Sequence, residues 1–206
     1  LRVISLQICA NILKVKLGRE NDKEMIETIR SVTDLPIAID ANQGWKDKHH
    51  ALDMIHWLHE KGIVMIEQPM PKEQLDDIAW VTQQSPLPIF ADESIQRLKD
   101  VAGLKGAFTG INIKLMKCGG LYPAEKINAI AEANHVQCMV GCMLETKVAI
   151  AAGVSLVAAK QNITEADCDS FMYAVDPEMG MPGGFAVNGG VYTLSDKPGL
   201  GIDIDF

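Results

Sequence analysis

The stretch GINIKLMKCGG, residues 110–120, decides how this chain is read. Ile111, Ile113, Leu115 and Met116 mark a buried strand, and Lys114 stands among them. An ammonium group taken out of water is costly unless a partner or a task compensates it. The glycines at 119 and 120 turn the chain, and an amphipathic pattern near 121–134 follows as a helix. One buried strand, one charge near its end, one turn and one helix make a β/α unit.

Outward from this unit the same arrangement recurs. ILKVKLG (12–18) reads as a strand, and 21–32 as a helix with Met25, Ile26, Ile29 and Val32 on one face. PIAIDANQG (36–44), GIVMIEQP (62–69), LPIFADES (87–94) and VQCMVGCML (136–144) read as further strands. Helices are expected near 46–61, with Leu52, Ile55 and Leu58 inward, and near 72–84, 95–105 and 146–160. EADCDSF (165–171) is a last, weaker strand. Seven β units separated by six helices imply parallel pairing in an α/β fold. Two architectures fit: an open doubly wound sheet or a closed (β/α)8 barrel. A dinucleotide-type sheet calls for a glycine-rich turn after its first strand, and only Gly18 stands there.

The strand ends favour the barrel. Asp40, Glu67 and Asp92 close successive β runs, 27 and 25 residues apart, so they sit side by side at one rim. That rim is where barrel active sites lie. Three adjacent carboxylates repel one another unless a cation neutralises them, and hard oxygen ligands in this number suit Mg2+. The competing reading is that such acids open loops or cap helices one at a time. Lys14 and Lys16 are two apart on one strand and so face the same side. Lys114 arrives four repeats later, across the barrel. A metal flanked by an amine on each side suits moving a proton between the two faces of a carbon; the alternative is lysines snorkelling at strand edges.

Composition narrows the classes. The net charge of −8 argues against a nucleic-acid partner and against a basic membrane patch. The apolar run VAIAAGVSLVAA (148–159) is too short for a membrane span and reads as a buried helix. No signal peptide is recognisable at the start of the chain. The cysteines (Cys9, Cys118, Cys138, Cys142, Cys168) are scattered and odd in number, so free thiols and a cytoplasmic location are expected. His56 and His59 lie off the apolar stripe of their helix and read as a solvated face.

Taken together, KVK at 14–16, DANQGW at 40–45, EQP at 67–69, ADES at 91–94 and NIKLMKCGG at 112–120 resemble the enolase superfamily, muconate-cycloisomerase-like subgroup. Within it the chain is most similar to dipeptide epimerases of the L-Ala-D/L-Glu type, through KLMKCGGLYPAEKINAIAEANHVQCMVGCMLETK and the DCD at 167–169. The resemblance implies a (β/α)7β TIM-like barrel, here incomplete, with its first strand and an N-terminal capping domain absent. Residues 1–175 would form the partial catalytic barrel, and 176–206 a C-terminal segment packing toward the missing cap. The segment 1–11 would replace the end of the first unit's helix.

The resemblance also implies roles. Asp40, Glu67 and Asp92 match the Mg2+ ligands, and Lys16 and Lys114 the two acid/base lysines. Lys14 matches the lysine that stabilises the substrate carboxylate. Asp167 and Asp169 match the pair that engages a dipeptide's α-ammonium group. The implied reaction is a 1,1-proton transfer at the α-carbon of the C-terminal residue, through an enediolate, with a small-molecule dipeptide as substrate. Burial and the nearby metal are expected to lower the lysine pKa values. Competing readings are a cycloisomerase or o-succinylbenzoate synthase of the same superfamily, a Schiff-base enzyme using Lys114, and an inactive truncated barrel. Exposed sheet edges in a barrel lacking one strand make self-association a hazard, so a homo-oligomer is among the expected states.

Overall fold

The computed structural model describes residues 12–104, 106–174, 176 and 180–204. Seven short strands form one parallel sheet in chain order: β1 (Leu13–Lys16), β2 (Ile37–Asp40), β3 (Ile63–Glu67), β4 (Ile89–Ala91), β5 (Gly110–Lys114), β6 (Gln137–Gly141) and β7 (Ile163–Asp167). Helices α1 (Asp22–Arg30), α2 (Lys48–Glu60), α3 (Leu75–Gln84), α5 (Leu121–Ala133) and α6 (Lys147–Ala159) connect them, with a single turn, α4 (Leu115–Cys118), between β5 and α5. Each parallel step needs such a crossover. An antiparallel hairpin of β8 (Phe185–Asn188) and β9 (Val191–Leu194) follows and packs against α6.

The sheet curls far enough that Lys14 of β1 makes an ion pair with Asp167 of β7. Among the described residues β1 and β7 do not hydrogen-bond as strands. The architecture is therefore an incomplete (β/α) barrel. The expectations for residues 1–11, Cys9 among them, lie outside the described residues.

Side chains alternate along each strand. One set faces the helices: Ile37 and Ile39, Ile66, Ile89, Ile111 and Ile113, Cys138 and Val140 join Ile26, Ile55, Leu58, Ile78 and Ile127 in a continuous core. Burial of each such side chain contributes about 1.5–3 kcal/mol. The other set faces the barrel interior, where Ala38, Met65, Phe90 and Met139 form a separate apolar cluster. Phe90 fits because Gly110 faces it: a Cβ at 110 would stand 2.4 Å from two ring atoms. This cluster floors the barrel and leaves the C-terminal ends of the strands open to polar groups.

The structure corrects several boundaries. The helix expected at 95–105 is a 3-10 segment, Leu98–Leu104. α1 ends at Arg30, so Val32 lies beyond it and is exposed. β5 ends at Lys114, where the chain turns into α4, so Leu115 is helical and Met116 is 58% exposed. Gly119 closes α4 at φ 102° and Gly120 follows at φ 110°, values that glycine adopts without steric cost. His56 and His59 are exposed on α2, as expected.

Candidate active site

Parallel register gathers the charges. Lys16, Asp40 and Glu67 are the last residues of β1, β2 and β3, and are paired in register across those strands. Asp92 follows the last residue of β4. Lys114 and Asp167 end β5 and β7, each level with Gly141 of β6 between them. A strand end delivers a side chain to the mouth of the barrel, and curling brings six of them together there.

Asp40, Glu67 and Asp92 are buried, and one oxygen from each lies within 4.8 Å of the others. Glu67 Oε1 accepts from Asn112 Nδ2 at 2.7 Å. Glu67 Oε2 lies 2.7 Å from Lys14 Nζ but accepts no well-aligned hydrogen bond. Burial pushes the Glu67 carboxyl above the usual carboxylate range against the pull of Lys14, and Asp40 and Asp92 push the same way. This buried, oxygen-only trio, with one oxygen from each carboxylate facing the others, fits a hard divalent cation.

The lysines ring the trio. Lys14 is held charged by Glu67 and Asp167, which outweigh burial. Lys16 Nζ donates to Asp40 Oδ2 at 2.8 Å and Asn42 Oδ1 at 3.0 Å, while its side chain is 69% exposed at the mouth. Lys114 Nζ donates to Asp92 Oδ2 at 2.7 Å, its side chain only 10% exposed. Burial lowers the Lys114 pKa, as expected, yet Asp92 and Glu67 outweigh it and the net shift is upward. The expected downward shift does not appear while Lys114 is paired with Asp92.

Asp167 ends β7 beside Lys14 of β1, and Asp169 follows two residues on. Asp167 accepts from Lys14 Nζ. Asp169 lies beyond β7, and burial together with the Asp167 charge raises its pKa.

Three supporting side chains escaped the sequence reading. Lys117, on α4, donates to the Asp92 carboxylate, to the Asp92 carbonyl at 2.8 Å and to the Ile95 carbonyl at 3.1 Å. Its only sequence trace is an i, i+3 spacing from Lys114. Gln68 is buried with φ 37°, a region side chains other than glycine rarely enter. Its Oε1 accepts from Asp92 N and Ser94 N at 2.9 and 3.1 Å, and its Nε2 donates to Met70 O and Ser94 Oγ at 3.0 and 2.9 Å. Asn112 supports Glu67 from below and fits because Gly141 faces it; a Cβ at 141 would meet the Asn112 amide at 2.7 Å.

The sequence profile of the family described as "Enolase C-terminal domain-like" matches residues 6–206. The chain belongs to that family. It is 66% identical over 192 residues to the L-Ala-D/L-Glu epimerase of Bacteroides thetaiotaomicron, covering 93% of this chain and 49% of the relative. It is 39% identical over 201 residues to the Bacillus subtilis protein of the same name, covering 92% and 54%. A substrate-liganded complex of the Bacillus subtilis enzyme superimposes with a TM-score of 0.87 at 37% identity, covering 93% of this chain and 55% of that one. A dipeptide epimerase from Enterococcus faecalis complexed with Mg and the dipeptide L-Leu-L-Tyr gives 0.87 at 36%, covering 96% and 57%. The chain spans about half the length of the curated relatives it matches. No helix among the described residues is long and apolar enough to cross a membrane.

Proposed function

We propose that the protein is a Mg2+-dependent dipeptide epimerase, inverting the α-carbon of a dipeptide's C-terminal residue by 1,1-proton transfer. One observation carries the reading: the buried carboxylate trio lies between Lys16 on β1 and Lys114 on β5, strands on opposite sides of it in the sheet order. Asp40, Glu67 and Asp92 would hold the cation. Bound there, it would supply positive charge for a substrate carboxylate, making the adjacent C–H more acidic. One lysine, as the neutral amine, takes the α-proton from one face; the other, as the ammonium, returns a proton to the opposite face. Lys14 would face the substrate carboxylate. Asp167 and Asp169 supply the negative charge that a free α-ammonium group needs, which favours a dipeptide over the cycloisomerase and succinylbenzoate-synthase substrates, which carry no ammonium group. The names of the relatives support the same substrate class.

The test is isotope exchange. A dipeptide library incubated with the chain and Mg2+ in D2O should gain deuterium at the C-terminal α-carbon as epimers form. Failure of every dipeptide to bind would sink the reading. Binding without exchange would instead favour a barrel that holds its ligands but does not turn them over alone, a reading supported by the unpaired edges of β1 and β7 among the described residues.

A further inference from the structure

One side chain of the C-terminal hairpin reaches the segment that carries Asp167 and Asp169. Tyr192 of β9 donates its hydroxyl to the carbonyl of Cys168 at 2.9 Å. Cys168 is the residue between Asp167 and Asp169, and it is buried. Its thiol points away from the mouth, toward Val140 O at 3.5 Å and toward Gly153 of α6, where an added Cβ would lie 3.5 Å from the sulfur. The residue is thus held on its side chain by β6 and α6, and on its carbonyl by the hairpin.

The hairpin has firm footing for this. Tyr192 packs at 5.4 Å from Phe185 and 6.4 Å from Phe171, measured between ring centroids, and Phe171 and Phe185 meet edge to face at 5.1 Å. Phe171 belongs to the 3-10 turn Ser170–Tyr173 that follows Asp169. The aromatic trio therefore joins the hairpin to the same loop that the hydroxyl fastens. Two like charges flank Cys168, and their mutual repulsion works to splay them unless the backbone between them is fixed.

We propose that Tyr192 is a positioning residue: its hydroxyl anchors the Cys168 carbonyl and so turns Asp167 and Asp169 together toward the mouth, as a site for a ligand's ammonium group. The inference rests on the reading of those aspartates as an ammonium site, although the contact itself stands without it.

Tyr192→Phe keeps the ring and removes the hydroxyl. Calorimetry with Mg2+ compares L-Ala-L-Glu with N-propionyl-L-glutamate, the same molecule without its ammonium group, and amide hydrogen exchange reads residues 168–170. The variant should bind the dipeptide about tenfold more weakly, bind the propionyl compound unchanged, and exchange faster only at 168–170. Equal weakening for both ligands, or faster exchange with both affinities unchanged, would reduce the contact to a structural one and overturn the proposal. Unchanged exchange at 168–170 overturns it as well. If the unsubstituted chain does not prefer the dipeptide to the propionyl compound, the ammonium reading fails and the positioning role toward it fails too; unchanged versus faster exchange at 168–170 then still tells whether Tyr192 holds the segment.

Discussion

Lys117 grips Asp92 twice, through its carboxylate and through its main-chain carbonyl at 2.8 Å. A third bond, to the Ile95 carbonyl, makes this ammonium the tie between α4 and the loop after β4. In return Arg97 donates to the Lys117 carbonyl. Lys117→Met would remove the side-chain donor from the Ile95 carbonyl and from one Asp92 carboxylate oxygen, and would leave the Asp92 carbonyl only its bond from Ile95 N at 3.2 Å. It should destabilise the ion-free chain by about 3 kcal/mol, with Lys114 still pairing Asp92. Added Mg2+ should restore more stability to the variant than to the unsubstituted chain, because the missing positive charge is then supplied from solution. Urea unfolding with and without Mg2+ measures both; an equal response in the two proteins would contradict this account.

The fit of Gly110 against Phe90 predicts a steric penalty. Gly110→Ala places a methyl group 2.4 Å from the ring. Phe90 is buried with Ala38, Met65 and Met139, so the cost should be about 1–3 kcal/mol. Adding Phe90→Leu should recover part of it, and chemical denaturation of the single and double variants gives the coupling.

Asp169 gives a pH-dependent prediction. Burial and the Asp167 charge raise its folded pKa above the unfolded value. Protonated Asp169 is therefore the form the fold prefers. Its contribution is fully present at pH below the unfolded aspartate pKa, about 3.9, and is lost as pH rises through the folded value. Asp169→Asn should raise the Tm at pH 7 and have little effect near pH 3.5. Scans across that window check the sign; a variant that melts lower at pH 7 would show that Asp169 is stabilised by its surroundings instead.

Separate roles for Lys16 and Lys114 are separable by isotope. Lys114→Ala and Lys16→Ala should each slow epimerisation by about 10²–10⁴-fold. Each should also retain wash-out of the α-hydrogen from one epimer only, opposite epimers in the two variants. Mass spectrometry on both dipeptide epimers in D2O reads this directly. Loss from both epimers in either variant would leave one base, not two.

Much of this arrangement was legible in the chain. Asp40, Glu67, Asp92 and Lys114 each follow an apolar β run, so their rim position was readable from spacing, and the parallel register sets the first three side by side. The short 3-10 segment was not, because its apolar residues Leu98, Val101 and Leu104 recur every three residues, a spacing that also fits an α-helix. Met116 was misread because Leu115 and Met116 continue an apolar run past the point where the backbone leaves the sheet. Lys117, Gln68 and Asn112 hold groups distant in sequence, 25, 24 and 45 residues away, and nothing local marks such partnerships. Gln68 adjoins Glu67, while Asn112 and Lys117 stand two and three residues from Lys114, and that proximity is the only trace they leave.

The bond from Lys14 to Asp167 joins the first and last staves of an unclosed cask. One of those two charges also touches the carboxylate trio, through Glu67, and the other belongs to the proposed ammonium site. A ligand that draws Asp167 toward its own positive end would compete for this fastening. Occupancy of the mouth and the grip of the two margins on each other are in this way set by the same carboxylate.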